Sequence, residues 1–403
     1  MVYFVFKYTA IMEGTYPNFD DTQVAFSHKT TLELKKAKVL FSLFGFQPLV
    51  EFGSAFTGFA MSIGLPISPL YKYTVYDHFC GGENFDDCKM ILQKLKTQNV
   101  GAMLNYGVEL KETEEDFNKT IANTLEAISF AGKNKEVKCI CIKITGFAPF
   151  DLFLKITAGE ALSTKEQEEL SVVEKRFFTL CDAALKNKVA LYVDAEETWI
   201  QAGLDTMVDK AMSIYNKTQP IVYNTYQLYR NDRLQFLKDS HQKAVNEGYF
   251  LGAKLVRGAY MEKERERAQK MNYPSPIHED KIAVDKDFDA AMLYCLENIK
   301  TISVCIASQS EGSNHLSVKL MNEKNIPLNH PNVFFSQLYG MGDNITFNLA
   351  KIGCNACKYL PYGPVKDVIP YLIRRAEENS SFQGSMGREL RLITTELERR
   401  SNN

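Results

Sequence analysis

The sequence predicts an α/β chain in which a closed (β/α)8 barrel follows an N-terminal helical segment. Three observations predict it. The texture changes after residue 98, and from there to residue 365 eight short β-branched or apolar runs recur. The segments between them are long enough for a helix in nearly every case, as parallel pairing of strands requires. Eight such units in about 270 residues match the size of a barrel, whereas a doubly wound sheet usually has about five to seven strands. The expected division is 1–98 for the helical region and 99–403 for the barrel with its C-terminal helix.

In the helical region, Thr31–Phe46 places apolar residues at helical spacing after a Thr-rich start, and Asn84–Gln98 does so again behind the Gly81-Gly82 break. The strand runs are Val100–Val108, Lys138–Gly146, Val189–Asp194, Pro220–Tyr226, Phe250–Gly258, Ile302–Ser308, Asn332–Leu338 and Cys357–Pro361. Helical texture is clear in Glu114–Ala131, Thr164–Lys186, Asp232–Glu247, Val284–Ile299 and His315–Lys324.

Composition narrows the function. Lys+Arg 47 against Asp+Glu 49 gives a net charge of −2, which removes the electrostatic case for nucleic acid. Nine scattered cysteines, an odd number with no regular spacing, suit a reducing compartment. Cys354 and Cys357 have no second pair at zinc spacing and the six histidines form no HExxH, so no metal site is expected. The N-terminus shows no export or import signal, which points to the cytoplasm. Phe52–Tyr71 carries no charge and follows the apolar run Val39–Val50, with Lys35, Lys36 and Lys38 before it and Lys72 after. Pro66, Pro69 and three glycines interrupt it, so a buried hairpin is favoured over a membrane-surface segment, and both over a spanning helix.

In such barrels chemistry sits where strands end and βα loops begin. There the apolar runs are broken by Lys143, Asp194 with Glu196, Asn224, Lys254 with Arg257, and Gln309. Buried charges must be paired, so polar residues on five strands point to one shared site, with Lys143–Asp194 as the expected ion pair. The densest signal is KYLPYGPVKDVIPYLIRRAEENSSF, residues 358–382. On its helix Tyr371, Arg374, Arg375 and Glu378 share one broad face, and paired arginines can grip a carboxylate in a bidentate way. No GxGxxG follows a strand; GMGDN from Gly340 lacks the third glycine.

With VDAEET, NTYQ, KLVRGAY, QLYGMGD and the long YLPYGPV…PYLIRRAEENSS string, the sequence closely resembles the FAD-dependent proline dehydrogenase family from about Asn84 to Arg400. The resemblance implies a distorted (β/α)8 TIM-like barrel and non-covalent FAD. It implies oxidation of L-proline to Δ1-pyrroline-5-carboxylate by hydride transfer from ring C5 to flavin N5. Arg374 and Arg375, with Glu378 beside them, match the pair that binds the proline carboxylate; Tyr359, Tyr371 and Leu338 match residues walling the pyrrolidine ring. Lys143 and Asp194 match the Lys and Asp of the substrate end. Lys254 takes the place of a basic residue near flavin N5, Arg257 of one contacting the cofactor, and Asn224 of an amide facing the isoalloxazine, with Tyr260 in the same turn. Gln309 stands at the cofactor side where many members carry a His; it can hydrogen-bond but cannot be cationic.

A quinone electron acceptor and pyrroline-5-carboxylate dehydrogenase as downstream partner follow from the same resemblance, and the 39–71 tract with its flanking lysines offers peripheral contact at the inner membrane face. Without the insertions of mitochondrial relatives or a fused aldehyde dehydrogenase, the chain resembles the stand-alone bacterial type. Three other readings fit parts of the pattern: a hydroxyproline dehydrogenase, a barrel lyase with Lys143 as Schiff base, and a membrane-associated scaffold built on 39–71.

Overall fold

The computed structural model describes residues 15–46, 48, 53, 57, 68–107, 111–381 and 383–402. The side chains of residues 70, 73 and 377–386 lie outside that description. Most of the uncharged 52–71 tract lies outside it too.

Eight parallel strands close in sequence order: β1 Gly101–Tyr106, β2 Val137–Ile142, β3 Ala190–Val193, β4 Val222–Gln227, β5 Leu251–Val256, β6 Ile302–Ala307, β7 Val333–Leu338 and β8 Ala356–Tyr362. Each lies within a run read from the sequence or extends it by a residue or two. The runs look continuous rather than alternating because both faces are buried. One face turns to the barrel axis, where Met103, Cys139, Cys141, Tyr192, Tyr223, Cys305 and Cys357 pack together. The other carries aliphatic residues against the helices. All nine cysteines are free, buried thiols.

Before the barrel stand α1 (Thr31–Phe44) and α2 (Phe85–Lys96), and around it α3 (Glu114–Lys133), α4 (Phe150–Ala158), α5 (Thr164–Asn187), α6 (Thr198–Tyr215) and α7 (Arg233–Glu247). Then come α8 (Met261–Met271), α9 (Lys281–Glu297), α10 (Glu311–Glu323), α11 (Asp343–Lys351), α12 (Val365–Ser381) and α13 (Gln383–Ser401). Their starts are written locally. Thr30 and Glu33 form a capping box at α1, Ser163 and Glu166 one at α5, and Asn84 caps α2.

A second apolar cluster covers the C-terminal ends of β7 and β8. It joins Phe41 and Phe44 of α1, Tyr76 and Phe79 of the helical stretch Ser68–Phe79, Tyr371 and Leu372 of α12, and Leu392 and Ile393 of α13. Leu338 and Tyr359 pack against it, so α1, the Ser68–Phe79 stretch and the last two helices together roof the barrel mouth. Among the described residues no helix is long and apolar enough to cross a membrane.

Candidate active site

At the barrel mouth, Lys254 of β5 donates to Asp194 Oδ1 at 2.6 Å, and the Tyr359 hydroxyl of β8 donates to Asp194 Oδ2 at 2.7 Å. The two charged side chains are only 7% and 12% exposed. Burial opposes the ammonium charge, but the Asp194 carboxylate outweighs it and raises the Lys254 pKa above its ordinary value. Lys254 also lies 4.8 Å from the Tyr359 ring centroid. The ion pair of Asp194 is therefore with Lys254, not with Lys143 as its place on the adjacent strand suggested. Asp194 follows Val193, the register partner of Asn224, and Lys254 pairs with Thr225, so the long lysine of β5 reaches past the short Thr225 of β4 to the carboxylate.

Lys143, just past β2, instead donates to the Tyr260 hydroxyl at 3.2 Å. Beside them lies Glu196, which accepts from the Thr145 hydroxyl at 2.5 Å and the Thr145 amide at 3.3 Å. Burial pushes its carboxyl up to about 7 against the opposing pull of Lys143. Burial also raises the Tyr260 pKa, with the positive charges of Lys143 and Arg374 working against it. Lys143, Glu196, Tyr260 and Arg374 thus share one electrostatic neighbourhood.

On α12, Arg375 is buried at 6% exposure with its guanidinium 5.1 Å from the Tyr371 ring centroid, and Tyr371 belongs to the roof cluster. Leu338 and Tyr359 are register partners of β7 and β8, so Leu338, Tyr359 and Tyr371 meet as one apolar wall. The Glu378 side chain lies outside the described residues.

Asn224 is not part of this assembly. Its amide donates to Asp205 of α6 at 2.9 Å, and Asp205 in turn pairs with Arg233 of α7 at 2.6 Å, all in the helix layer. Strand alternation makes Tyr223, Thr225 and Gln227 the inward residues of β4. Gln227 went unnoticed in the sequence; it is buried at the mouth and donates to the Glu196 carbonyl at 2.7 Å. The signal that finds it is the aromatic Tyr223, which must fill the barrel axis two residues before Thr225 and four before Gln227.

Arg257 stands at the rim, where Asp285, Ser308 and Ser313 take its guanidinium at 2.7, 2.7 and 2.9 Å. Gln309 is exposed on the same rim. Between Arg257 and Tyr260, Gly258 adopts φ +139°, and a Cβ there would stand 2.4 Å from the Tyr229 ring. The Tyr229 ring thus fills the place of a side chain at this turn, while β5 carries cationic Lys254 and its neighbour β4 the amide of Gln227. That donor set suits a redox cofactor that gains negative charge on reduction.

The proline dehydrogenase family profile matches residues 88–388. Similar proteins include the mitochondrial proline dehydrogenase 1 of Dictyostelium discoideum, 29% identical, covering 94% of this chain and 74% of that protein. Another is the carbapenem antibiotics biosynthesis protein CarD of Pectobacterium carotovorum, 31% identical over 80% of this chain and 83% of its own. A hydroxyproline dehydrogenase of Xenopus laevis is 28% identical over 95% of this chain. Among solved structures, proline utilization A from Bdellovibrio bacteriovorus, inactivated by N-propargylglycine, has the same fold with a TM-score of 0.69 at 19% identity. It covers 91% of this chain, which spans 37% of that longer one. A profile match over well more than half the sequence, on a barrel with this mouth, establishes that the chain belongs to the proline dehydrogenase family.

Proposed function

We propose that the chain oxidises L-proline to Δ1-pyrroline-5-carboxylate with non-covalent FAD, held by Lys254, Gln227 and Arg257. When bound, the flavin supplies the acceptor for the hydride that leaves ring C5. The protein's own groups do the rest. Arg374 and Arg375 take the substrate carboxylate, and Leu338, Tyr359 and Tyr371 enclose the ring and exclude water. Asp194 keeps Lys254 protonated, so a fixed positive charge waits where negative charge accumulates, without reorganisation during the reaction. The cations Arg374, Arg375 and Lys143 repel the substrate ammonium and favour the neutral amine that hydride loss requires.

The observation that carries this reading is Lys254: buried, yet with its charge favoured by one carboxylate at a barrel mouth that an arginine-bearing helix roofs. We propose Glu378 as a further carboxylate-side residue, a quinone as electron acceptor, and pyrroline-5-carboxylate dehydrogenase as consumer of the product. A place in the cytoplasm, with peripheral contact at the inner membrane face, belongs to the same proposal. The absorption spectrum of the purified protein tests it: a flavin band that proline bleaches faster than hydroxyproline supports the assignment. A protein without that band, or one bleached only by hydroxyproline, overturns it.

A further inference from the structure

The turn that leaves β7, Tyr339-Gly340-Met341-Gly342, is gripped on every side by residues from other parts of the chain. Lys358 of β8 donates to the Leu338 and Met341 carbonyls at 3.3 and 2.6 Å. Nε2 of His78, from the stretch before α2, lies 2.9 Å from the Gly340 carbonyl oxygen. Glu389 of α13 accepts the Gly342 amide at 2.5 Å. Gly340 adopts φ +83°, and a Cβ there would stand 2.4 Å from the His78 carbonyl oxygen, so the turn and the N-terminal segment meet backbone to backbone.

At the end of the turn, Asp343 is 4% exposed and holds both Lys358 and Lys29 at 2.7 Å, with His28 at 3.6 Å and stacked on Phe347. Lys358 sits on the outward face of β8, where its neighbours Ala356, Leu360 and Tyr362 are core residues. A lysine placed there is costly unless it is paired, and Asp343 pairs it. His28, Lys29 and His78 precede the family-matched residues 88–388 and Glu389 follows them.

We propose that Lys29, Asp343 and Lys358 are positioning residues, a buried charge relay by which the N-terminal segment fixes the β7 turn and so sets Leu338, the ring-facing wall of the substrate pocket. The proposal rests on the ring-wall role proposed above for Leu338. That residue opens the turn, is the register partner of Tyr359, and has its own carbonyl on Lys358. Two lysines bridged by one carboxylate, one on each oxygen, give the turn a single arrangement. With Lys29 removed, Asp343 keeps Lys358 as its one strong partner, and the turn keeps His78 but loses its charged tie to the N-terminal segment.

The test compares Lys29→Met with Lys94→Met, which breaks the Lys94–Glu33 pair between α2 and α1 in the same part of the chain. The readout is the ratio of kcat/KM for proline to that for its six-membered homologue, piperidine-2-carboxylate. We expect Lys29→Met to lower the ratio about tenfold, the lower end of what one methylene is worth in an apolar pocket. The proline kcat should stay within about twofold, the change appearing in KM. Lys94→Met should leave the ratio alone, and Lys29→Arg should restore it. If Lys29→Met does not fold, Lys29→Gln, which keeps a donor for Asp343, should show the same direction of change. An unchanged ratio in a folded Lys29 variant, with wild type active on proline, overturns the positioning role alone. A wild type that does not oxidise proline overturns the wall assignment as well.

Discussion

Arg374→Met and Arg375→Met are expected to weaken proline use mainly through KM. A charge-assisted hydrogen bond contributes roughly 1.5–3 kcal/mol, or about 10- to 150-fold in kcat/KM, and steady-state kinetics on both variants checks it. Tyr359→Ser should lower the proline/hydroxyproline rate ratio, because it opens ring space and removes the donor to Asp194. The arginine pair was legible because its helical spacing is local. The partner of Asp194 was not: Lys254 lies sixty residues away, two strands round the barrel and reached only across β4.

At the scale of the element, β4 is the instructive case. Its run was located correctly, yet Asn224 was read as facing the cofactor when it belongs to the helix-layer pair of Asp205 and Arg233. Strands have a period of two, so an error of one residue in phase exchanges the two faces. Asn224→Ala should therefore lower the thermal midpoint, leaving Asp205 short of a donor at a cost of about 1–3 kcal/mol, while the flavin spectrum keeps its shape. Gln227→Ala should perturb the visible spectrum with a smaller effect on melting. The opposite pattern would return Asn224 to the interior. Both strand faces are buried, so apolar content alone cannot set the phase of β4.

Over the whole molecule, stability at mildly acid pH reflects buried carboxyls and histidines acting in opposite directions, and Glu196 and His28 show one of each. Glu196 has its folded pKa raised to about 7 from 4.5 by burial, so its contribution is full below 4.5 and is lost as pH rises toward 7. Burial depresses His28 from 6.5 to about 3, so its contribution is full above 6.5 and is lost as pH falls toward 3. Each group changes stability by up to roughly 1.4 kcal/mol per pH unit in its window. Denaturant unfolding between pH 4.5 and 6.5 should show Glu196→Gln steepening the loss of stability on acidification. His28→Phe, which keeps an aromatic ring against Phe347, should flatten it. Parallel curves for wild type and either variant would remove that group from the balance.

By itself the sequence determined the eight strands, most of the helices, the strand ends where polar residues interrupt apolar runs, and the arginine face of α12. Each is written within one element, in spacing that 3.6- or two-residue periodicity exposes. Only the tertiary structure decided that Asp194 belongs to Lys254, that Gln227 and not Asn224 looks inward, and that Lys29 reaches the turn after β7. Closing the barrel turns side chains of separate strands onto one axis, and roofing it brings both ends of the chain over β7 and β8. Those contacts join residues tens to hundreds of positions apart, a distance over which local spacing carries no information.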